Sequence, residues 1–408
     1  MNDVEMTTAG DLGGRKGTAA EVFAVFLKLG LTSFGGPIAH LGYFRDELVV
    51  RRRWIDEKGY ADLVALCQFL PGPASSQVGF ALGLLRGGPL GAAAAWIAFT
   101  LPSAILLVLF ALGAALFGGS IGSGIIHGLK VVAVAIVAQA VWGMAKNLCP
   151  DRERASIALA ALLIVVLVAG SIGQVAAIAA GGLAGLWLCR TSCEAITGHM
   201  RFPVSRAVGA MALVAFCFML IGLPIFAAVT SSQGLAVFDS FYRAGSLVFG
   251  GGHVVLPLLE TEVVRPGWVS ANQFLAGYGA AQAVPGPLFT FAAYLGTVLQ
   301  PEPNGLLGAA IALVAVFLPG FLLLIGIIPF WDEFRARAGA QALMRGANAA
   351  VVGILGAALY NPVWTSAIVG PYEFALAITC FVLLMAWKFP PWIVVIVAAA
   401  GGVLIGIV

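Results

Sequence analysis

The chain has 408 residues, 61% of them hydrophobic and only 10% charged, with a formal net charge of +3. A soluble domain runs at roughly 45–50% apolar and about 25% charged, so an ordinary soluble enzyme and a disordered chain are both excluded. The small net charge gives nucleic-acid binding no support. At about 20 apolar residues per spanning helix, the composition points to an all-α polytopic membrane protein. Its 52 glycines suit close helix contacts and backbone breaks that line cavities.

Residues 1–21 carry acids and no apolar core, which reads as a cytoplasmic tail and not a signal peptide. Segments 22–44 and 60–85 are apolar but interrupted, at Gly35-Gly36-Pro37 and Pro71-Gly72-Pro73. Between them, Arg45 to Lys58 holds nine charges and is expected to form an interfacial helix. Unbroken apolar stretches follow at 90–117, 125–145, 155–189 and 207–229. The third is too long for one span and has Gly170, Ser171, Gly173 and Gln174 at its middle, so a hairpin of two spans is expected. Two more interrupted segments, 241–258 and 273–299, precede stretches at 305–329, 342–360, 374–387 and 391–408. Re-entrant interrupted segments leave nine crossings, and full spanning gives thirteen.

The chain repeats itself. Residues 26–41 (FLKLGLTSFGGPIAHL) match 241–256 (FYRAGSLVFGGGHVVL) at an offset of 215, and Glu47 falls on Glu262. Trp54 then matches Trp268, QFLPGP (68–73) matches QAVPGP (282–287), and Leu101-Pro102 matches Leu318-Pro319. The expected organisation is an N-terminal repeat at 22–146, a linker with three spans at 147–236, a second repeat at 237–360 and a transmembrane extension at 361–408.

Basic residues set the orientation. Loops 146–154, 190–206 and 331–345 hold three Lys or Arg each, whereas 118–124, 231–240, 300–304 and 361–373 hold none. The first group belongs on the cytoplasmic side, with the N-terminus. Equivalent loops of the two repeats then lie on opposite sides. This is the inverted-repeat plan of many secondary transporters, whose sites lie at the repeat interface.

Each Gly or Pro-Gly-Pro break ends one half-helix and starts another, exposing N–H groups and a partial positive charge that suit an oxyanion. The alternative is that the breaks are packing hinges. The substrate-binding candidates are Gly35, Gly36, Pro71, Gly72 and Pro73, with Gly250, Gly251, Pro285, Gly286 and Pro287 in the second repeat. Lys28 and Arg243 occupy equivalent positions as a cation pair for a dianion, or as neutralisers of helix C-termini. His40 and His253 flank the glycine breaks, and Gln68 and Gln282 precede the Pro-Gly-Pro breaks as amide donors. Secondary candidates are Arg86, His127, Lys130, Arg345 and Asn348, with snorkelling as the competing reading of Arg86.

Six cysteines read as packing residues, and Cys189 and Cys193 with Glu194 and His199 fit no zinc spacing. No cofactor or metal is expected. Neither HExxH nor a P-loop occurs, so no enzyme class is indicated.

In its FGGP, RRRW and paired QFLPGP/QAVPGP motifs the sequence resembles the chromate ion transporter family, in its long-chain duplicated form. The resemblance covers roughly 22–146 and 237–360. It implies an inner-membrane exporter of chromate that confers resistance, with sulfate as a related tetrahedral dianion. The coupling partner would be the proton or the membrane potential, and a homodimer is the candidate assembly. A sulfate uptake permease or a passive anion channel is the alternative. The second repeat departs from the first, with Gly252 at the place of Pro37 and Pro266-Gly267 at that of Arg52-Arg53.

Overall fold

The computed structural model describes residues 17–114, 119–168, 170–190, 202–249, 252–331, 333 and 337–407, and these form helices with no strand among them. The first repeat opens with four elements, α1 (Ala19–Thr32), α2 (Gly36–Phe44), α3 (Glu57–Phe69) and α4 (Ala74–Ala114). It continues through α5 (Gly119–Leu148), α6 (Arg152–Leu167) and α7 (Ser171–Leu188). A separate helix, α8 (Arg206–Thr230), leads into the second series. That series runs α9 (Gln233–Ser246), α10 (Val255–Leu259), α11 (Ala271–Ala281), α12 (Phe291–Val298) and α13 (Gly305–Ile327). It closes with α14 (Ala338–Ala358), α15 (Pro371–Met385) and α16 (Pro391–Ile405).

Local chemistry sets the boundaries. Thr18 caps α1 by accepting the Glu21 N–H at 3.1 Å, and Asp56 caps α3 from Gly59 at 2.9 Å. Ser270 and Gln273 form a capping box at α11. α4 bends at Gly87-Gly88, where Gly88 has a φ of 64°, and folds back as a hairpin with Gly83 against Gly91 and Ala95. After α2 and after α10 the chain widens into π-type turns, Arg45–Arg51 and Glu260–Val264, at matched positions in the repeats. The interfacial helix expected over 45–58 is therefore corrected. The segment prolongs α2 through Arg51, reverses at Arg53 in the left-handed region and restarts as α3 under the Asp56 cap.

The two series interlock. α1 packs on α4 and α9 on α13 in the same way, but the last helices cross over. α6 and α7 lie against α14, and α15 and α16 lie against α5. These seams are made of small residues: a Cβ at Gly346 would run into the Gly181 carbonyl, and one at Gly128 into that of Ala398. Lipid offers no hydrophobic drive for helices to associate, so close backbone approach supplies the contact energy. The outer face carries Leu109, Leu163, Trp187, Phe218 and Ile396, all exposed, as a lipid-facing surface requires.

Among the described residues six helical segments are long and apolar enough to cross a membrane, by length and composition: 74–113, which folds back at Gly87-Gly88, and 121–148, 171–188, 206–230, 305–330 and 338–367. α6, α15 and α16 have 16, 15 and 15 residues. At ~1.5 Å per residue they fall short of the ~30 Å hydrocarbon core, although α15 and α16 pack along the full-length α5.

Contacts between distant segments sort the helix ends into two groups. At one end the Gly17 N–H meets the Arg86 carbonyl at 2.9 Å, Trp331 meets Asp62 at 3.3 Å and Arg206 meets Glu333 at 2.6 Å. At the other, His127 meets Glu373 at 3.1 Å, Lys130 meets Asn272 at 3.1 Å and Ser171 meets Glu262 at 2.7 Å. These groups coincide with the two sides that loop charge assigns. The connection after α5 belongs to the basic end and its counterpart after α14 to the other, so the repeats are inverted. In a cysteine-free background, single cysteines at Pro150 and at Val369, both exposed, will react with impermeant reagent from opposite faces. Labelling of both from one face would refute the inversion.

Candidate functional site

The four breaks meet. The Gly72 N–H donates to the Val248 carbonyl at 2.7 Å, and the Gly286 N–H donates to the Ser33 carbonyl at 2.9 Å. Gly72 and Gly286 are equivalent positions, as are Ser33 and Val248, so the two bonds are exchanged about a pseudo-twofold axis. Left-handed φ values of 125° at Gly72 and 99° at Gly286 aim these N–H groups across the interface. The approach is close: a Cβ on Gly72 would stand 3.0 Å from Gly320 Cα, and one on Gly286 2.9 Å from Ser103 Oγ. The Gln77 amide braces the first break, donating to the Pro71 and Gly320 carbonyls at 3.0 and 2.9 Å.

The reading of Gly72 and Gly286 as open N–H donors is thereby corrected, because both groups are already bonded to carbonyls. The unpaired donors belong to the first turns of the helices that follow. α2 starts at Gly36 with Pro37 in its first turn and no side-chain cap, and the space a Cβ would occupy at Gly36 is open. α4 starts at Ala74, directly after Pro73. In the second repeat, Pro285 and Pro287 flank Gly286, and a 3₁₀ turn, Leu288–Thr290, precedes α12. Gly250 and Gly251 lie outside the described residues; Gly252 opens a 3₁₀ turn, Gly252–Val254.

Buried polar side chains gather at the first repeat's breaks. His40, 1% exposed, has Nδ1 3.4 Å from Ser75 Oγ and its ring edge-on to Phe99. Its Nε2 has no hydrogen-bond partner, and neither do the buried hydroxyls of Ser33, Ser76 and Thr100. In the second repeat His253 Nδ1 lies 2.8 Å from the Tyr278 hydroxyl, and Gln282 Nε2 is buried without a partner. Gln68 is exposed, so the two aligned glutamines do not share a setting. Sequence reading took His40 and passed over Ser33, Ser76, Gln77 and Thr100. Their signal was polar side chains inside apolar segments, within a few residues of a break.

The candidate cations are held by carboxylates. Lys28 Nζ lies 3.5 Å from Glu47, which also accepts from Arg52 at 2.7 Å and from Arg51. Arg243 lies 3.0 Å from Glu262 and 2.8 Å from Asp239. Removal from water pushes the Glu47 carboxyl up, but the Arg52 and Arg51 hydrogen bonds and the Lys28 charge outweigh it and hold the group below its ordinary range. Lys28 and Arg243, expected as a cation pair for a dianion, thus each have a carboxylate partner in this structure. They form a repeated ion pair, with each cation on the glutamate presented by the adjoining π-type turn. Arg86 pairs with Glu21 at 3.1 Å and lies over the Trp54 ring, at the basic end of the bundle. Lys130 bonds to Asn272, Arg345 to the Cys189 carbonyl and His127 to Glu373, all away from the crossing. Asn348, inside α14, has a buried Oδ1 without a partner. Of the thiol set, Cys189 closes α7, and Cys193, Glu194 and His199 lie outside the described residues.

A family model described as chromate transporter matches residues 20–186 and 235–403. The matched regions run past the motif-defined repeats, 22–146 and 237–360, to take in α6, α7 and α15 and most of α16. The chain is 31% identical to a chromate transport protein of Pseudomonas aeruginosa over 405 residues, covering 93% of this chain and 90% of that one. It is 28% identical to a probable chromate transport protein of Synechococcus elongatus, covering 93% of each. With a chromate transport protein of Cupriavidus metallidurans it shares 27% identity, over 96% of this chain and 93% of that one. No solved structure matches. Two matched regions arranged as interlocking repeats around crossed helix breaks establish that the chain belongs to the chromate transporter family.

Proposed function

We propose that the protein is a secondary active carrier that exports chromate across the cytoplasmic membrane, with its N-terminus and basic end on the cytoplasmic side. The observation that supports this most directly is the reciprocal pairing of the breaks, Gly72 to Val248 and Gly286 to Ser33. Broken helices meeting at a repeat interface are where inverted-repeat carriers bind substrate. The first turns of α2 and α4 supply N–H groups and partial positive charge at that place, which suits a tetrahedral dianion such as chromate or sulfate. Rocking of one repeat against the other about the crossing would expose the ion alternately to the two sides. The proton gradient or the membrane potential supplies the drive.

Counterflow decides between carrier and channel. Proteoliposomes loaded with unlabelled chromate will transiently accumulate labelled chromate above equilibrium, and sulfate on the inside will substitute for it. Simple equilibration of label, with no overshoot, would identify a passive path.

Two glycine variants separate binding from packing. Gly36→Ala puts a methyl group in open space at the start of α2, costing roughly 1–2 kcal/mol of backbone strain at a φ of 81°. It is expected to keep the fold and to lower counterflow at least tenfold. Gly72→Ala drives its Cβ toward Gly320 and will lower Tm as well. Wild-type counterflow in Gly36→Ala removes α2 from the site.

The ion pairs behave asymmetrically. Lys28→Ala leaves Glu47 with two arginines and a half-exposed partner lost, a change below about 1 kcal/mol. Arg243→Ala strands Glu262 and Asp239, both under 10% exposed, and should destabilise by about 3 kcal/mol. Thermal unfolding in detergent will show a clear drop in Tm for Arg243→Ala alone; equal drops would contradict this division.

A further inference from the structure

The two crossing hydrogen bonds are equivalent, but the side chains around them are not. Ser33 corresponds to Val248, His40 to Val255, Ser75 to Phe289, Gln77 to Phe291 and Thr100 to Phe317. Ser76 has a polar counterpart, Thr290, but the Thr290 hydroxyl is spent on the Pro287 carbonyl at 2.7 Å. At each of these pairs the first repeat holds the polar group that could reach a ligand, and the second holds an apolar or satisfied one; Gln282, whose buried Nε2 is unpaired, is the exception on the second side. Helix geometry is biased the same way. α2 has nine residues starting directly at Gly36, whereas its counterpart opens with a 3₁₀ turn and gives only five α-helical residues.

Four of the first-repeat atoms are both deeply buried and unpaired: Ser33 Oγ, His40 Nε2, Ser76 Oγ and Thr100 Oγ1, on residues exposed by 0, 1, 3 and 2%. Leaving a buried polar group unmatched costs about 1–3 kcal/mol, so four such atoms on elements that meet at the crossing point to a polar guest there. The elements that carry them share contacts. His40 touches Ser75 and Phe99, Thr100 follows Phe99, and Ser103 accepts the approach of Gly286, whose N–H is bonded to Ser33. The hairpin within α4 brings its second arm, with Thr100, back along the first, with Ser76.

We propose that the oxyanion is held off the pseudo-twofold axis, in a one-sided cradle of the first repeat. Its ligands are neutral donors: the Ser33, Ser76 and Thr100 hydroxyls, His40 Nε2 and the N–H groups opening α2 and α4. The second repeat contributes the Gly286 bond that fixes Ser33, an apolar wall that includes Phe289 and Phe317, and no lysine or arginine. Gln77 acts as a positioning residue, since both of its amide hydrogens hold carbonyls at the crossing. This rests on the reading of the crossing as the oxyanion site and adds which side chains recognise the ion and from which half.

The test is equilibrium binding of radiolabelled chromate, and separately sulfate, to the full-length protein in detergent, with Tm measured on the same samples. Ser76→Ala and Thr100→Val will each raise Kd roughly tenfold, the loss of one hydrogen bond to a charged group. Tm without ligand will hold or rise, because an unpaired buried hydroxyl has been removed, and the shift in Tm on adding chromate will shrink. Thr100→Ser, which keeps the hydroxyl, will restore binding. The mirror variant Thr290→Val will leave Kd within about twofold. Normal binding by Ser76→Ala and Thr100→Val, or an equal loss from Thr290→Val, overturns the one-sided cradle while leaving the crossing as the site. Failure of the unmodified protein to bind either ion overturns the reading of the crossing itself.

Discussion

Two backbone hydrogen bonds, from Gly72 to the Val248 carbonyl and from Gly286 to that of Ser33, are the constraint from which the rest of the architecture follows. A helix broken inside an apolar layer leaves N–H and C=O groups that lipid cannot satisfy, each at a cost of several kcal/mol. Here each repeat supplies the donor that the other repeat's break lacks. The exchange needs left-handed glycines, which alone turn the N–H across the interface without a Cβ penalty. It also needs the two backbones close enough for Gly72 to lie beside Gly320. Neither half can therefore satisfy these break groups alone, which makes the crossing a folding requirement whatever it binds.

The interlocked outer helices follow the same logic at longer range. With α6 and α7 seated on α14, and α15 and α16 on α5, each repeat is clasped by the other on both flanks. The ion pairs then fasten the half-helices inside each repeat. Lys28 to Glu47 and Arg243 to Glu262 both span 19 residues, and each ties the first half-helix to the π-type turn that ends the second. Widening of that turn brings the glutamate round to the cation, which gives the irregular geometry a physical role in both copies.

The repeat, the breaks and the helical class were legible because the residues that make them are specific: a glycine is needed at positive φ, and a proline suits a helix start. The pairing of the breaks was not legible, because it joins backbone groups of residues far apart in the chain and no side chain records it. Lys28 and Arg243 show a different failure. Their partners are visible in the sequence, since Glu47 and Glu262 align at the same offset, but spacing alone does not say whether a cation in an apolar segment faces a ligand, a helix end or that carboxylate. The charges of 45–58 misled for a related reason. Arg45 pairs with Glu57 and Glu47 with Arg51 and Arg52, so part of the segment's charge serves pairs that shape the turn between α2 and α3 and not one continuous amphipathic helix.

Keeping the cations out of the crossing has a consequence for transport. A dianion facing a lysine and an arginine in a medium of low dielectric would be bound by many kcal/mol, and a carrier so loaded would release its cargo slowly. Hydroxyls, an imidazole and helix N-termini offer directed donors without a full charge. They can compensate the desolvation of a tetrahedral oxyanion while leaving a modest net affinity, and passage requires an ion that enters readily and also leaves. With Lys28 and Arg243 already matched by Glu47 and Glu262, an ion held in the proposed cradle would break no salt bridge on arrival and strand no charge on departure. The field there would come mainly from backbone dipoles, whose directions the fold fixes.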